Sequence, residues 1–216
     1  MKKQTLLTLL ICITLLFSMT GCSLLKPSGD FLAAKAVEYY NEKDYEAAID
    51  KMLEAEKAGL DEVALGDVYS ILGHCYLELE RIDEAFSYYE KALEIEPDAV
   101  EYIVNIAIAY RQIGNYDKAM ELYQKALEID PDYPELNVSL GALYVLENEP
   151  ETAIPYFEKA IELDPTIGTS YGNAALAYAM IGDFEKADEY LKQSIIYGYE
   201  NASVVEEKIN ALKDLE

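Results

Sequence analysis

Apolar residues recur at spacings of three and four along most of the chain, the period of an amphipathic helix, and these runs come in pairs joined by short polar turns. Between residues 100 and 134 one run extends from Val100 to Tyr110 and a turn begins at Gly114. A second run then carries Ala119, Leu122, Tyr123, Ala126 and Leu127 until Pro131 stops it. The decapeptides KALEIEPDAV, KALEIDPDYP and KAIELDPTIG begin at Lys91, Lys125 and Lys159, 34 residues apart. Ala48, Ala85, Ala119, Ala153 and Ala187 mark the second run of each pair at intervals of 37, 34, 34 and 34, and Tyr39, Tyr76, Tyr110, Tyr144 and Tyr178 keep the same interval in the first run. Self-similarity at this period is the signature of a solenoid. The pattern predicts an all-α chain, an α-solenoid of five helical hairpins over residues 29–65, 66–99, 100–133, 134–167 and 168–200. It closes with a C-terminal capping helix at 201–214, where Val205, Ile209 and Leu212 share one face.

The residues at fixed places in these units resemble the tetratricopeptide repeat family. The second unit supplies Tyr69, Leu72, Gly73, Tyr76, Ala85, Tyr89, Ala92 and Pro97, matching the family pattern throughout. The third supplies Ile103, Ile106, Ala107, Tyr110, Ala119, Tyr123, Ala126 and Pro131, and the fourth departs only at Asn137. The fifth, with Leu191 and Ser194, lacks the closing proline, and the first is weakest, with Lys35 and Met52 at patterned places. Small residues at Gly73, Ala107, Gly141 and Ala175 are expected to let the two helices of a hairpin approach closely, with Tyr and Phe filling gaps between neighbouring hairpins. Asp98 with Glu101, and Asp132 with Glu135, are expected to cap the helices that follow.

The resemblance implies a concave groove lined by the first helix of each hairpin. Its lining places hold Val104, Asn105, Ile108 and Arg111 in the third unit, Val138, Ala142 and Val145 in the fourth, and Asn173, Leu176 and Met180 in the fifth. His74 stands on the groove wall of the second. These first helices are apolar nearly all round, which combines burial with apolar surface open to a partner. The array of Lys and Asn by which some family members clamp a C-terminal carboxylate is missing. Acids at Asp30, Asp67, Glu101 and Glu135 fall in helix first turns, where they favour the helix dipole; a ligand-binding acidic rim is the alternative reading.

Charge narrows the partner. Lys and Arg number 17 against 41 Asp and Glu, so phosphate backbones are repelled and nucleic acid is excluded. Neutral or basic protein segments with apolar anchors fit instead.

The first residues form a separate segment. Lys2 and Lys3, an apolar run from Leu6 to Phe17 and small residues before Cys22 follow the order of a secretory signal peptide. Met19 to Cys22 resembles the lipobox of bacterial lipoproteins, whose cysteine receives a diacylglyceryl group and becomes the mature N-terminus. Residues 1–21 are then removed, 22–29 form a lipidated tether, and 30–216 form the repeat domain. Removing two lysines and no acid leaves 15 minus 41, or −26. This reading puts the chain at the cell membrane or outer membrane, facing the extracytoplasmic space, with Cys75 alone and unable to form an intrachain disulfide.

Candidate chemistry is sparse. There is one histidine, no glycine-rich phosphate loop and no Cys/His ligand cluster, and the acidic turns lack the alternating ligands and glycine of a calcium loop. The expectation is a non-enzyme without cofactor or metal: a membrane-anchored adaptor that binds an envelope protein or peptide in its groove. The alternative is an assembly factor, resembling lipoprotein pilotins, for a pilus, secretion or envelope complex.

Overall fold

The turn inside each hairpin sets the architecture. In the computed structural model, which describes residues 27–215, the positions Lys43, Glu80, Gly114, Asn148 and Gly182 adopt φ of 62°, 58°, 79°, 61° and 81°. Each ends a helix in a left-handed residue. The N–H of the next residue returns to the carbonyl of the recurring tyrosine five positions back: Asp44 to Tyr39, Arg81 to Tyr76, Asn115 to Tyr110, Glu149 to Tyr144 and Asp183 to Tyr178, at 2.8–3.0 Å. That same next residue starts the second helix. Asp44, Asn115 and Asp183 accept the N–H of Ala47, Lys118 and Lys186 on their side-chain oxygens, while Glu149 is followed by Pro150, whose missing donor is no loss in a first turn. Three residues therefore close one helix and open another.

The result is all-α. Eleven helices are found among the described residues: α1 (Gly29–Asn41), α2 (Tyr45–Ala58), α3 (Leu65–Glu78), α4 (Ile82–Ile95), α5 (Val100–Gln112), α6 (Tyr116–Ile129), α7 (Pro134–Leu146), α8 (Pro150–Leu163), α9 (Gly168–Met180), α10 (Phe184–Ile196) and α11 (Ala202–Lys213). The chain divides into two compact units, Met1–Ala64 and Leu65–Glu216. The first holds the α1/α2 hairpin, closed by Ala33, Ala36, Ala48, Ile49, Met52 and Ala55. Its connecting segment carries the extra residues of the 37-residue spacing, and Asp30 accepts the N–H groups of Asp61, Glu62 and Val63 at 3.1–3.2 Å. Those bonds, led by the one from Val63, hold the Asp30 carboxyl below the usual carboxylate range. This acid orders a loop of its own chain.

The second unit holds four hairpins and α11, each hairpin packed on the next. Tyr89, Tyr123 and Phe157 on the second helices are 1%, 0% and 0% exposed. Tyr89 and Phe157 press on Gly73 and Gly141 of their own hairpins, and Tyr76–Tyr88, Tyr144–Tyr156 and Tyr178–Tyr190 stack within hairpins at 5.3–5.6 Å. The aromatic residues thus mainly fill hairpin interiors rather than the gaps between neighbours; Phe86 with Tyr110, at 4.5 Å, is a contact of the second kind. Val205 and Ile209 of α11 are buried against the last hairpin's core.

The expected caps between hairpins are replaced by a different device. Helices α5 and α7 have Ala99 and Tyr133 as N-caps, with no side-chain cap, so neither Asp98 nor Asp132 plays that part. Asp130 instead accepts the N–H of Asp132, and Asp164 accepts both the N–H and hydroxyl of Thr166. An Asp side chain that bonds two residues ahead tightens the proline turn it precedes.

Glu80 is a side-chain-bearing residue in a place that favours glycine. The left-handed conformation costs about 1–2 kcal/mol, while glycine adds roughly 0.5–1 kcal/mol of unfolded-state entropy. Glu80→Gly is therefore expected to raise stability by about 0.5–1 kcal/mol, read as a thermal midpoint higher by roughly 1–4 °C. A lower midpoint would show that the Glu80 side chain contributes more than its backbone costs.

Candidate functional site

Three connected concavities run across the first helices of the last three hairpins. The largest, about 420 Å³, is lined by Ile108 and Arg111 of α5, Val138, Ser139 and Ala142 of α7, Thr169 and Asn173 of α9, and by Glu135, Ile167 and Tyr199. Arg111, Ala142 and Asn173 also line the second, about 190 Å³, together with Val145, Leu146, Leu176 and Lys208. Leu176 and Lys208 continue into a third of about 320 Å³, completed by Met180, Ala211, Leu212 and Leu215. The trough is therefore continuous from α5 to α11.

It forms because the first helices are buried on two sides. Ile103 and Ala107 face the core on α5, Leu136, Leu140 and Leu143 on α7, and Ala174 and Ala177 on α9, each at most 1% exposed. The remaining stripe, one residue per turn, is left half-buried and looks into the trough.

Eight of the residues expected on the groove line this trough: Ile108, Arg111, Val138, Ala142, Val145, Asn173, Leu176 and Met180. Three do not. Val104 is 1% exposed and packs with Ile103, Leu136 and Leu140 in the core, so it offers no groove surface. Asn105 is half-buried and donates to the Ser70 hydroxyl at 3.0 Å, tying α5 to α3. His74, on α3, is half-buried with its imidazole pKa pushed down by that burial, and lies outside the three concavities. Cys22 and the segment expected to be a signal peptide lie outside the described residues.

Other lining residues were not singled out by sequence. Tyr199 comes from the α10–α11 connection, and Lys208, Ala211, Leu212 and Leu215 come from α11 and its end. Leu212 carried a signal, though one that read as core.

The electrostatics of the trough oppose those of the whole chain. Arg111 and Lys208 line it, and Glu135 is the one acid among the lining residues. Two of the four acids expected in the first turns have internal partners: Asp67 accepts the Tyr102 hydroxyl at 2.7 Å, as Asp30 holds its loop, while Glu101 and Glu135 are exposed. Burial raises the Tyr123 phenol, with the Arg111 charge and the Ser139 hydroxyl pulling the other way. Cys75 is buried, its thiol pushed up to about 12 by desolvation, which leaves it inert as a nucleophile. Among the described residues no group of three or more His, Cys, Asp or Glu is placed to hold a metal ion, and no helix is long and apolar enough to cross a membrane.

Comparison with known proteins bears on the fold. Models of the tetratricopeptide repeat match residues 65–132, 103–166 and 156–189. No curated protein sequence matches the chain. Among solved structures, the Thermus thermophilus protein TTC0263 superposes with a TM-score of 0.70 at 17% identity, over 86% of this chain and 98% of its own. Pseudomonas aeruginosa pilF superposes with a TM-score of 0.65 at 18% identity, over 86% and 87%. MamA AMB-1 gives 0.53 at 23% identity, over 77% and 97%. At these identities the likeness is one of fold.

Proposed function

Because the chain belongs to the tetratricopeptide repeat family, a fold of protein–protein interaction adaptors, we propose that it is a lipid-anchored adaptor that holds an envelope protein in its trough. The observation that carries the reading is the continuous concavity lined by Ile108, Val138, Val145, Leu176 and Met180. Half-buried aliphatic side chains along a trough leave apolar surface in water, and a docked segment with its own apolar anchors removes it. The charge of −26 expected for the processed chain favours a neutral or basic segment in the approach.

The anchor rests on the sequence before the described residues. Lys2, Lys3, the apolar run and the MTGC ending at Cys22 support lipidation at the outer face of a membrane. More than one acyl chain gives stable attachment. The seven residues Ser23 to Gly29 reach about 25 Å when extended, which keeps the first hairpin near the bilayer. Cys22→Ser is expected to release the protein from the membrane fraction or leave an uncleaved precursor; a processed, membrane-bound form would overturn the anchor.

A photocrosslinking residue at Val138 or Val145 in intact cells tests the groove. One envelope protein should be caught from both positions and not from Gln124, which is exposed on the second helix α6. Equal capture from Gln124, or none from the trough, would overturn it.

A further inference from the structure

One half-buried charge in the trough wall has no counter-charge; Lys208, the other cation there, is exposed to water. Among the described residues no carboxylate pairs with Arg111, whereas the chain's other arginine, Arg81, is gripped by Glu84 at 2.9 and 2.6 Å. The Arg111 Nε is fully buried without a hydrogen-bond partner, and the side chain as a whole is half-buried. Glu135 is exposed and makes no ion pair with it. A guanidinium that has lost water without gaining an opposite charge is costly to keep. Its planar fork matches the two oxygens of a carboxylate.

Position says more about the ligand. Arg111 shares its place with Ala142 and Asn173 at the junction of two concavities, and apolar lining continues both ways. Ile108, Val138 and Ile167 lie on one side, with Val145 and Leu176 on the other. A chain end held at Arg111 would leave one side empty. A segment filling both passes over it.

We propose that Arg111 receives an acidic side chain, Asp or Glu, from the interior of the bound segment, which is otherwise apolar and neutral or basic; this rests on the groove reading above. The two electrostatic preferences act at different ranges. The net charge of the body selects against acidic ligands during approach and is screened beyond about 8 Å at physiological ionic strength. Arg111 acts at contact, where one carboxylate is rewarded and a bare apolar residue leaves the guanidinium unpaired.

The test is an array of randomised dodecapeptides, each made with a free and with an amidated C-terminus. It is probed with the purified full chain and with Arg111→Gln and Arg111→Lys variants whose helix content and thermal midpoint are checked first. Peptides retained by the unaltered chain should carry Asp or Glu at an interior position. Changing that residue to Asn or Gln should weaken binding about 10- to 100-fold, the scale of a charge-assisted pair. Arg111→Gln should bind acid and amide versions alike, and Arg111→Lys should keep part of the preference. Amidation should have no effect. Should Arg111→Gln fail to fold, the acid-to-amide comparison on the unaltered chain decides by itself. Retained peptides without an interior acid overturn the assignment while the groove reading stands. Loss on amidation alone overturns it in favour of a chain terminus. If no peptide is retained by any variant, the groove reading itself fails.

Discussion

Replacing Gly141 by leucine is expected to destabilise the chain by about 3 kcal/mol or more, the upper end for overpacking a filled core. A Cβ at this position would lie 2.5 Å from Phe157 Cε1 and 2.8 Å from both Cδ1 and Cζ. Phe157 is 0% exposed, so its ring has no solvent to move into. Alanine alone forces that ring to shift, and leucine adds three more carbons. Because each repeat touches mainly its neighbours, the damage should be local. Hydrogen exchange should lose protection in α7 and α8 and in the helices packed on them, α5, α6 and α9, while α3 and α4 retain theirs. A uniform loss along Leu65–Glu216 would mean that the unit behaves as one cooperative block. A thermal midpoint unchanged from the native chain would mean that the Gly141–Phe157 contact does not hold this hairpin.

The repeat period explains how much of this was legible in advance. A period of 34 residues repeats both the helix lengths and the face each helix turns inward, so Val138, Val145, Leu176 and Met180 could be placed in the trough from spacing and family pattern. The same reasoning failed at Val104, since a first helix buried on two sides has a narrow open stripe and a shift of one residue crosses its border. Caps failed for another reason. Asp98 and Asp132 stand where a capping box would place an acid, but each helix starts one position later than the acid implies, with Ala99 and Tyr133 as N-caps, and the Asp132 N–H is taken by Asp130 two residues earlier. The unpaired state of Arg111 was illegible because it depends on which carboxylates fail to reach it, and periodicity carries no information about that. Tyr199 was missed for the same kind of reason: it enters the trough from a connection that obeys no repeat.

Val145→Asp is the substitution expected to act most strongly on binding. Val145 is half-buried in the middle concavity beside Leu176, and an aspartate there keeps its charge only at the cost of losing water under a docked segment. An uncompensated carboxylate of this kind weakens binding by at least about 100-fold for peptides selected on the unaltered chain. The penalty arises from desolvation at contact, so it should persist at high salt. Glu101→Lys gives the contrasting case. Glu101 is exposed in the first turn of α5, and reversing its charge alters only the field met during approach. Its effect on a basic peptide should appear in the association rate, reach a fewfold at low salt, and vanish as ionic strength rises. Glu101 is exposed, but Val145 packs on the edge of the core, so the thermal midpoint of each variant is measured before its binding is read. If Val145→Asp leaves affinity unchanged while the selected peptides still bind, the segment does not lie in the trough, and its contacts must be sought on the second-helix face or on the exposed side of α11.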